Sequence, residues 1–501
     1  MTPDAPANNP APRRKMELRR VMFWVLLAAA VAHTIAYLFI TSQRIVYPFE
    51  LEWMEGALVD HTARILAGLD LYTEPSADHV SYLYTPLYYY LAALASSITE
   101  IGYLPLRMIA SISSLGCALL IGLAVRQEAQ GSGEWRNRIA VIAGSVFLAG
   151  FWIVDGWHDL ARNDGLFLLL TLVTIALLRN STDRRVVAAG IVVTLAFLAK
   201  QTALMLLPAL AIGLAFLSVR RAIVFTISTS ISLAVTIGLY CLLTDGWFFY
   251  FVFQVPSAHP GAAGIDFFGS DMQRLWPSLA IAGLFFLTGL ESANRRTTLF
   301  YSSVAAGLLF ASYMSRHHAG GYINALMPWL VGAGLLLGTT LQRLASSKTV
   351  VPIAVLALAI TQFGLMVKDP RGFLPSADHR AAHEQLQDYL YNIPGSIFLP
   401  FQGHTAAAVN KPTSMHAMAM HDLQLSQTSG YPVLLKSLGV AQSEKRFDLI
   451  VLNDPHTEIF LGQADTLPGY QPVTDLPFDL EHLRPLHGMP TKPSLFLMRI
   501  E

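Results

Sequence analysis

Apolar runs separated by short polar connections follow one another through the first 367 residues: Val21–Thr41, Pro105–Val125, Ile139–Val154, Gly165–Leu178, Val186–Ala199, Thr202–Val219, Ala222–Leu243, Trp276–Leu290, Leu299–Met314, Tyr322–Leu341 and Val350–Val367. A bilayer core asks for roughly 20 apolar residues per helix, so the ends of the shorter runs are fixed only to within a turn. The pattern predicts a polytopic α-helical membrane protein of about eleven spans. Arginines mark alternate connections: Arg126, Arg136 and Arg138; Arg179, Arg184 and Arg185; Arg220 and Arg221; Arg295 and Arg296; Arg343 with Lys348. The positive-inside rule makes these cytoplasmic and places the N-terminus inside.

That assignment decides how Leu87–Ile98 is read. If this apolar stretch crossed the membrane, every later arginine cluster would lie outside. It is expected instead as a helix in the outer interface, with Tyr82, Tyr84, Tyr88, Tyr89 and Tyr90 at headgroup depth. Everything after Lys368 then falls outside. There, a helix-like stretch Arg380–Tyr391 alternates with short β-like runs, Ser396–Leu399, Leu449–Leu452 and Leu495–Met498. Residues 368–501 thus read as a small extracytoplasmic α/β domain of ordinary size.

Composition agrees with this picture. Of 501 residues, 53% are hydrophobic and 14% charged, and the mean hydropathy is +0.46, a balance rare in soluble chains. The 34 basic side chains match 34 acidic ones, so net charge gives no hint of nucleic acid. Cys117 and Cys241 both fall in apolar runs, which leaves no disulfide framework. Arg13, Arg14, Lys15, Arg19 and Arg20 could open a signal peptide, but Val21–Ile40 is too long for its apolar region. Residues 1–20 are expected as a disordered basic tail before an uncleaved first span.

Ionisable residues collect at the outer span ends. The first outer loop, residues 41–104, carries Glu50, Glu52 and Glu55, then Asp60 and His61 on a predicted amphipathic helix, Trp53–Leu66. Glu52 and Glu55 would share a face of that helix if it began a residue early. The second outer turn, 155–164, holds Asp155, His158, Asp159, Arg162 and Asp164; the last is also well placed as a helix cap. Carboxylates from two loops at one depth suit a general base with an electrostatic partner. Solvated loop acids would show the same pattern. Lys200, followed by Gln201, interrupts an apolar stretch and suits an anionic phosphate, with a snorkelling anchor as its plain alternative. Arg316, His317 and His318, ahead of Gly320 and Gly321, suit a cationic patch for phosphate. Neighbouring histidines do not share a helix face, so chelation by this pair alone has no support.

Walker-type loops, HExxH, CxxC and GxSxG are absent from the sequence, which removes nucleotide-driven pumps, zincins and lipases from consideration. Four stretches, MEGALVDHTARILAG, YLYTPLYYYLAAL, LARNDGLFLLL and AKQTALMLLPAL, occur in the order of a known family. Through its first two thirds the chain resembles the C-type (GT-C) glycosyltransferase superfamily, in particular its protein O-mannosyltransferase and lipid A aminoarabinose transferase branch. The resemblance implies a GT-C-like membrane region over residues 21–367, a polyprenyl-phosphate-linked sugar as donor, and inverting transfer to a glycan, lipid or protein acceptor. It also implies an acid of the first outer loop as base. The family's acidic pair is Asp-Glu, whereas Met54-Glu55 stands here. Glu55 matches the second member, so Glu55 or the nearby Glu52 is the base. Asp164 and Arg162 match the second-loop motif and Lys200 the basic turn; Glu50, Gln201, Arg316, His317 and His318 complete the expected substrate-binding set. No metal ligand is assigned, and a divalent cation is left open. A transporter or flippase for lipid-linked sugars is the alternative; it would favour charges at the bilayer midplane and an inverted repeat, and neither is found. A non-catalytic scaffold would make the outer acids dispensable.

Overall fold

The computed structural model describes residues 10–129, 135–262, 264–290, 294–345, 347, 349–454, 457, 460 and 467–500. Each predicted run is occupied by a helix. In order these are α1 (Pro10–Arg44), α4 (Tyr103–Gln127), α5 (Trp135–Ala149), α6 (Asp164–Arg179), α7 (Asp183–Ala199), α8 (Ala203–Leu217), α9 (Val219–Leu243), α12 (Trp276–Leu290), α13 (Arg295–His317), α14 (Met327–Leu344) and α15 (Val351–Leu365). Between α1 and α4 lie α2 (Glu55–Leu66) and α3 (Leu87–Ser96), and after α9 the short turns α10 (Trp247–Phe249) and α11 (Val255–Ala258). Polar starts are built locally: Thr182 accepts from Arg185 N at 3.3 Å to open α7, and Ser218 does the same for α9, satisfying N–H groups the helix leaves orphaned.

Five of these helices are long and apolar enough to cross a bilayer by length and composition. On α9 the exposed side chains Ile223, Ile227, Ile231, Val235, Leu239 and Leu242 form an apolar stripe, far larger than a water-facing helix carries. The chain is a multi-pass α-helical membrane protein.

Hydrogen bonds define two ends of the bundle. At the lower end Arg179 pairs with Glu128 at 2.6 Å, Tyr301 donates to the same carboxylate, Arg221 reaches Ser181 and Arg136 reaches the Arg126 carbonyl. The arginine-marked connections therefore gather at one end. Residues 10–20 are not a disordered tail: they extend α1, and Arg19 donates to the carbonyls of Leu344 and Ala345 at 3.0 and 2.8 Å, capping the C-terminus of α14. The rest of that predicted tail, residues 1–9, and Lys348 lie outside the described residues.

Three further expectations change. The run Ile139–Val154 is helical only to Ala149 and then tightens into a single 3-10 turn, Gly150–Trp152. Helix α2 begins at Glu55, so Glu52 precedes it and the two acids do not share a helix face. Tyr82, Tyr88 and Tyr89 are buried, and only Tyr90 is largely exposed. Tyr88 Oη donates to the Leu106 carbonyl at 2.9 Å, whereas the rings of Tyr82 and Tyr89 stack against His61.

The C-terminal segment holds α16 (Ala377–Asn392), α17 (Thr405–Ala408), α18 (Ala417–Ser426), α19 (Gly430–Ser443) and a four-stranded sheet. Its strands β1 (Ile397–Phe398), β2 (Leu449–Asp454), β3 (Tyr470–Pro472) and β4 (Lys492–Arg499) run in the order β1-β2-β4-β3. The pair β1–β2 is parallel, and β4 is antiparallel to both neighbours. Period-two alternation sends Leu449 and Val451 into a small core with Leu386 and Leu390 of α16, while Ile450 and Leu452 face the main core. Strand β2 is therefore apolar on both faces, as its continuous run requires. The segment is latched onto the first loop. Met415 N donates to the Ala77 carbonyl at 3.0 Å, His404 N to Asp60 Oδ2 at 2.9 Å, and a Cβ on Gly56 would lie 2.0 Å from the Gly403 carbonyl. Only glycine allows so close a backbone approach.

Candidate active site

The upper end of the bundle joins the α1–α4 loop, the turn before α6 and the α7–α8 connection. The two acids left open by the sequence have opposite surroundings. Glu55 is 0% exposed. Its Oε1 accepts from Arg107 Nε at 3.0 Å and Ala161 N at 2.6 Å, and its Oε2 from Arg107 Nη2 at 2.6 Å and Leu51 N at 2.8 Å. Burial alone would raise this carboxyl, but Arg107 and the N–H donors overcome it and hold it below the usual range. Every lone-pair direction is occupied. Arg107 is equally saturated, donating also to the carbonyls of Arg44, Tyr47 and Phe49. This pair staples the first loop to α4.

Glu52 is 1% exposed and incompletely satisfied. Its Oε2 accepts from Arg162 Nη1 and from Met54 N, both at 3.3 Å, whereas Oε1 receives no donor among the described residues. Burial pushes its pKa up to about 7 against the opposing charge of Arg162. A carboxyl that changes charge near neutrality, with one free oxygen, has the properties of a general base. Arg162 Nη1 also contacts Met54 Sδ at 3.2 Å, and Nη2 donates to Tyr84 Oη at 2.6 Å. The guanidinium lies against the rings of Tyr84 and Trp157, and its buried Nε–H has no acceptor among the described residues.

Asp164 occupies the first turn of α6 and caps nothing with its side chain. Its Oδ1 accepts from Lys200 Nζ at 2.6 Å and Asn324 Nδ2 at 3.1 Å, and its Oδ2 from Trp157 Nε1 at 3.1 Å. Lys200 is thus ion-paired, with 16% of its side chain exposed. Gln201 Nε2 donates to the Leu83 carbonyl at 2.9 Å, and its buried Oε1 has no donor among the described residues. Glu50 accepts from Gly56 N at 3.0 Å, and burial, with Glu55 nearby, raises its pKa well above normal.

The structure therefore brings Glu52 to Arg162 and Asp164 to Lys200. It does not join Arg316, His317 and His318 to them by any direct contact among the described residues. Arg316 pairs with Asp271 at 2.8 Å and donates to the Gly321 carbonyl. His317 bonds the Tyr313 carbonyl, and His318 those of Ala319 and Pro256. These side chains order the connection after α13, whose Tyr322 and Asn324 reach the centre instead. Among the described residues no three His, Cys, Asp or Glu side chains converge as metal ligands.

Sequence reasoning passed over Arg44, Arg107, Tyr322 and Asn324. Arg44 is fully buried and binds Asp159 at 2.9 Å, and Tyr322 Oη donates to Asp155 at 2.9 Å. An arginine inside an apolar run at the end opposite the arginine clusters was the available signal for Arg107.

No protein-family model matches the chain, and no curated protein sequence does. Its fold is similar to that of ArnT from Cupriavidus metallidurans. With the undecaprenyl phosphate-bound crystal structure the TM-score is 0.59 at 13% identity, covering 94% of this chain and 98% of that one. For the apo state the values are 0.55, 15%, 89% and 96%. The archaeal oligosaccharyltransferase AglB from Archaeoglobus fulgidus, solved with an inhibitory peptide and a dolichol-phosphate, gives 0.50 at 13% identity over 86% of this chain and 69% of that one.

Proposed function

We propose, starting from the C-type glycosyltransferase fold that this chain has in common with ArnT and AglB, that it transfers a sugar from a polyprenyl phosphate to an acceptor hydroxyl. Transfer is inverting and takes place at the upper end of the bundle. The eleven apolar helices all cross the membrane, with the arginine-rich lower end cytoplasmic and the upper end and C-terminal segment outside. The observation that carries the reading is the contrast between Glu55, ionised and saturated, and Glu52, poised near neutrality with Oε1 free.

In this reading the acceptor oxygen attacks the anomeric carbon as the bond from that carbon to the phosphate oxygen breaks. The acceptor proton passes to Glu52, and the electron pair of the broken bond leaves with the polyprenyl phosphate. The unpartnered Nε–H of Arg162 and the remaining N–H groups of Lys200 supply donors for the leaving phosphate. Where the sequence has Met54 in place of an acid, Arg162 Nη1 still meets a carboxylate, that of Glu52. Asp164 holds Lys200 in place. The acceptor is a glycan, lipid or protein of the cell envelope, and the membrane is the inner one.

The test is release of polyprenyl phosphate from a labelled lipid-linked sugar by the purified protein in vesicles. Cleavage with transfer of label to an acceptor is the expected result. Movement of the intact lipid-linked sugar between leaflets, without cleavage, would replace this reading by the flippase.

A further inference from the structure

The reaction centre has a wall that comes from the far end of the chain. Residues 487–488 lie beside the first loop: His487 N donates to the Leu51 carbonyl at 3.0 Å, and His487 forms an isolated parallel bridge with Glu52. The next residue, Gly488, has a φ of +81°. A Cβ there would lie 2.8 Å from Glu52 Oε1, 3.0 Å from Glu52 Cγ and 2.9 Å from Trp53 Cδ1. The free oxygen of Glu52 thus sits against a position that has both the space and the backbone conformation of glycine.

The His487 ring is fixed as firmly as its backbone. It is buried, and its Nε2 lies 2.8 Å from Arg44 Nη1. A guanidinium only donates, so Nε2 carries the lone pair and the proton is on Nδ1, 3.3 Å from Asp155 Oδ1. Arg44 continues to Asp159, and Asp155 to Tyr322. One ring thereby links α1, the turn before α6 and the connection before α14 to the strand-like stretch that carries Glu52.

We propose that His487 and Gly488 are positioning residues for Glu52, so that the C-terminal segment completes the reaction centre. His487 fixes the backbone of Leu51–Glu52 relative to Arg44 and Asp155, and Gly488 leaves the space in which Oε1 meets the acceptor. The inference rests on Glu52 as the base, and its test separates the two.

Infrared difference spectra between acid and alkaline pH, compared with Glu52→Gln, isolate the Glu52 carboxyl band in the full-length protein without any substrate. Gly488→Ala shifts that band. In the release assay it lowers kcat by roughly ten- to hundred-fold, the scale of a misplacement of about 1 Å, with KM for the donor nearly unchanged. His487→Ala does the same. His487→Gln, which keeps an acceptor for Arg44 and an N–H group on the side of Asp155, recovers most of both. Gly469→Ala, at another left-handed glycine of the segment, controls for backbone strain and leaves band and kcat alone. An unmoved band and kcat in Gly488→Ala overturn the inference; if that variant does not fold, indistinguishable His487→Ala and His487→Gln do so. A shifted band in a protein that releases no polyprenyl phosphate retains the positioning and removes the transferase reading.

Discussion

Ion pairs occur at both ends of the bundle, in different media. At the upper end Arg107–Glu55 and Arg44–Asp159 have side chains 0% exposed. At the lower end Arg220–Asp183 is 79% and 50% exposed. A charge taken out of water must have its partner and its hydrogen bonds supplied by the protein, and removing one partner strands the other. A charge left in water keeps its hydration with or without a partner. The upper pairs are therefore parts of the fold and of the candidate chemistry. The exposed Arg220–Asp183 pair contributes little to the fold.

The largest expected effect follows from Arg107. In Arg107→Ala the Glu55 carboxylate stays buried with only backbone donors, and the loop carbonyls of Tyr47 and Phe49 lose theirs. Breaking a buried pair typically costs about 3–5 kcal/mol, enough to sharply reduce the yield of folded protein after detergent extraction. Thermal stability within about 1 kcal/mol of the parent would remove the distinction between the two ends.

Glu52→Gln should act on rate instead. We expect kcat to fall by roughly 10²–10⁴-fold, the range for loss of a general base, with folding and donor binding nearly intact. In the proposed reaction the parent protein should lose activity as pH falls through about 7, because protonation removes the base, and should be insensitive above that limb. Glu55→Gln should reduce folded protein while the surviving molecules keep the same limb. A parent profile flat from pH 5 to 9 would exclude Glu52 as the titrating base.

The difference between these two acids also marks the limit of what was legible beforehand. The apolar runs and the C-terminal α/β pattern were readable because helix and strand periodicity is local; the helix expected at Arg380–Tyr391 is α16, and Leu449–Leu452 lies within β2. The acids were readable as candidates from their position at span ends. Their roles were not, because the deciding partners are remote in sequence: Arg107 lies 52 residues from Glu55, and Arg162 lies 110 from Glu52. The strand Tyr470–Pro472 is too short and polar to stand out, and the burial of Tyr82 and Tyr89 depends on what covers them.

Lys200→Ala should be milder than either acid change. The loss of one charge-assisted contact to a phosphate, about 1.5–3 kcal/mol, corresponds to a ten- to hundred-fold rise in the donor's KM. Asp164 retains Trp157 and Asn324 as donors, and the Lys200 side chain is partly exposed, so the loss of folded protein should be smaller than in Arg107→Ala. An unchanged KM would reduce Lys200 to a neutralising partner of Asp164.

The smallest effect belongs to the lower end. Arg220→Ala removes a guanidinium whose Nη2 lies 2.8 Å from Asp183 Oδ2, yet Arg221 Nε remains 3.7 Å from Oδ1 of the same carboxylate. Asp183 itself occupies the first turn of α7, where the helix dipole favours a negative charge without any basic neighbour. The pair is solvated and screened, and exposed pairs of this kind are worth about 0–1 kcal/mol. Arg220→Ala should therefore melt within about 0.5 kcal/mol of the parent and turn over donor at the parent rate. A loss above about 2 kcal/mol would mean that the lower end is shielded from water as the upper end is. The contrast between buried and solvated charge would then no longer explain why only one end of this bundle carries the candidate chemistry.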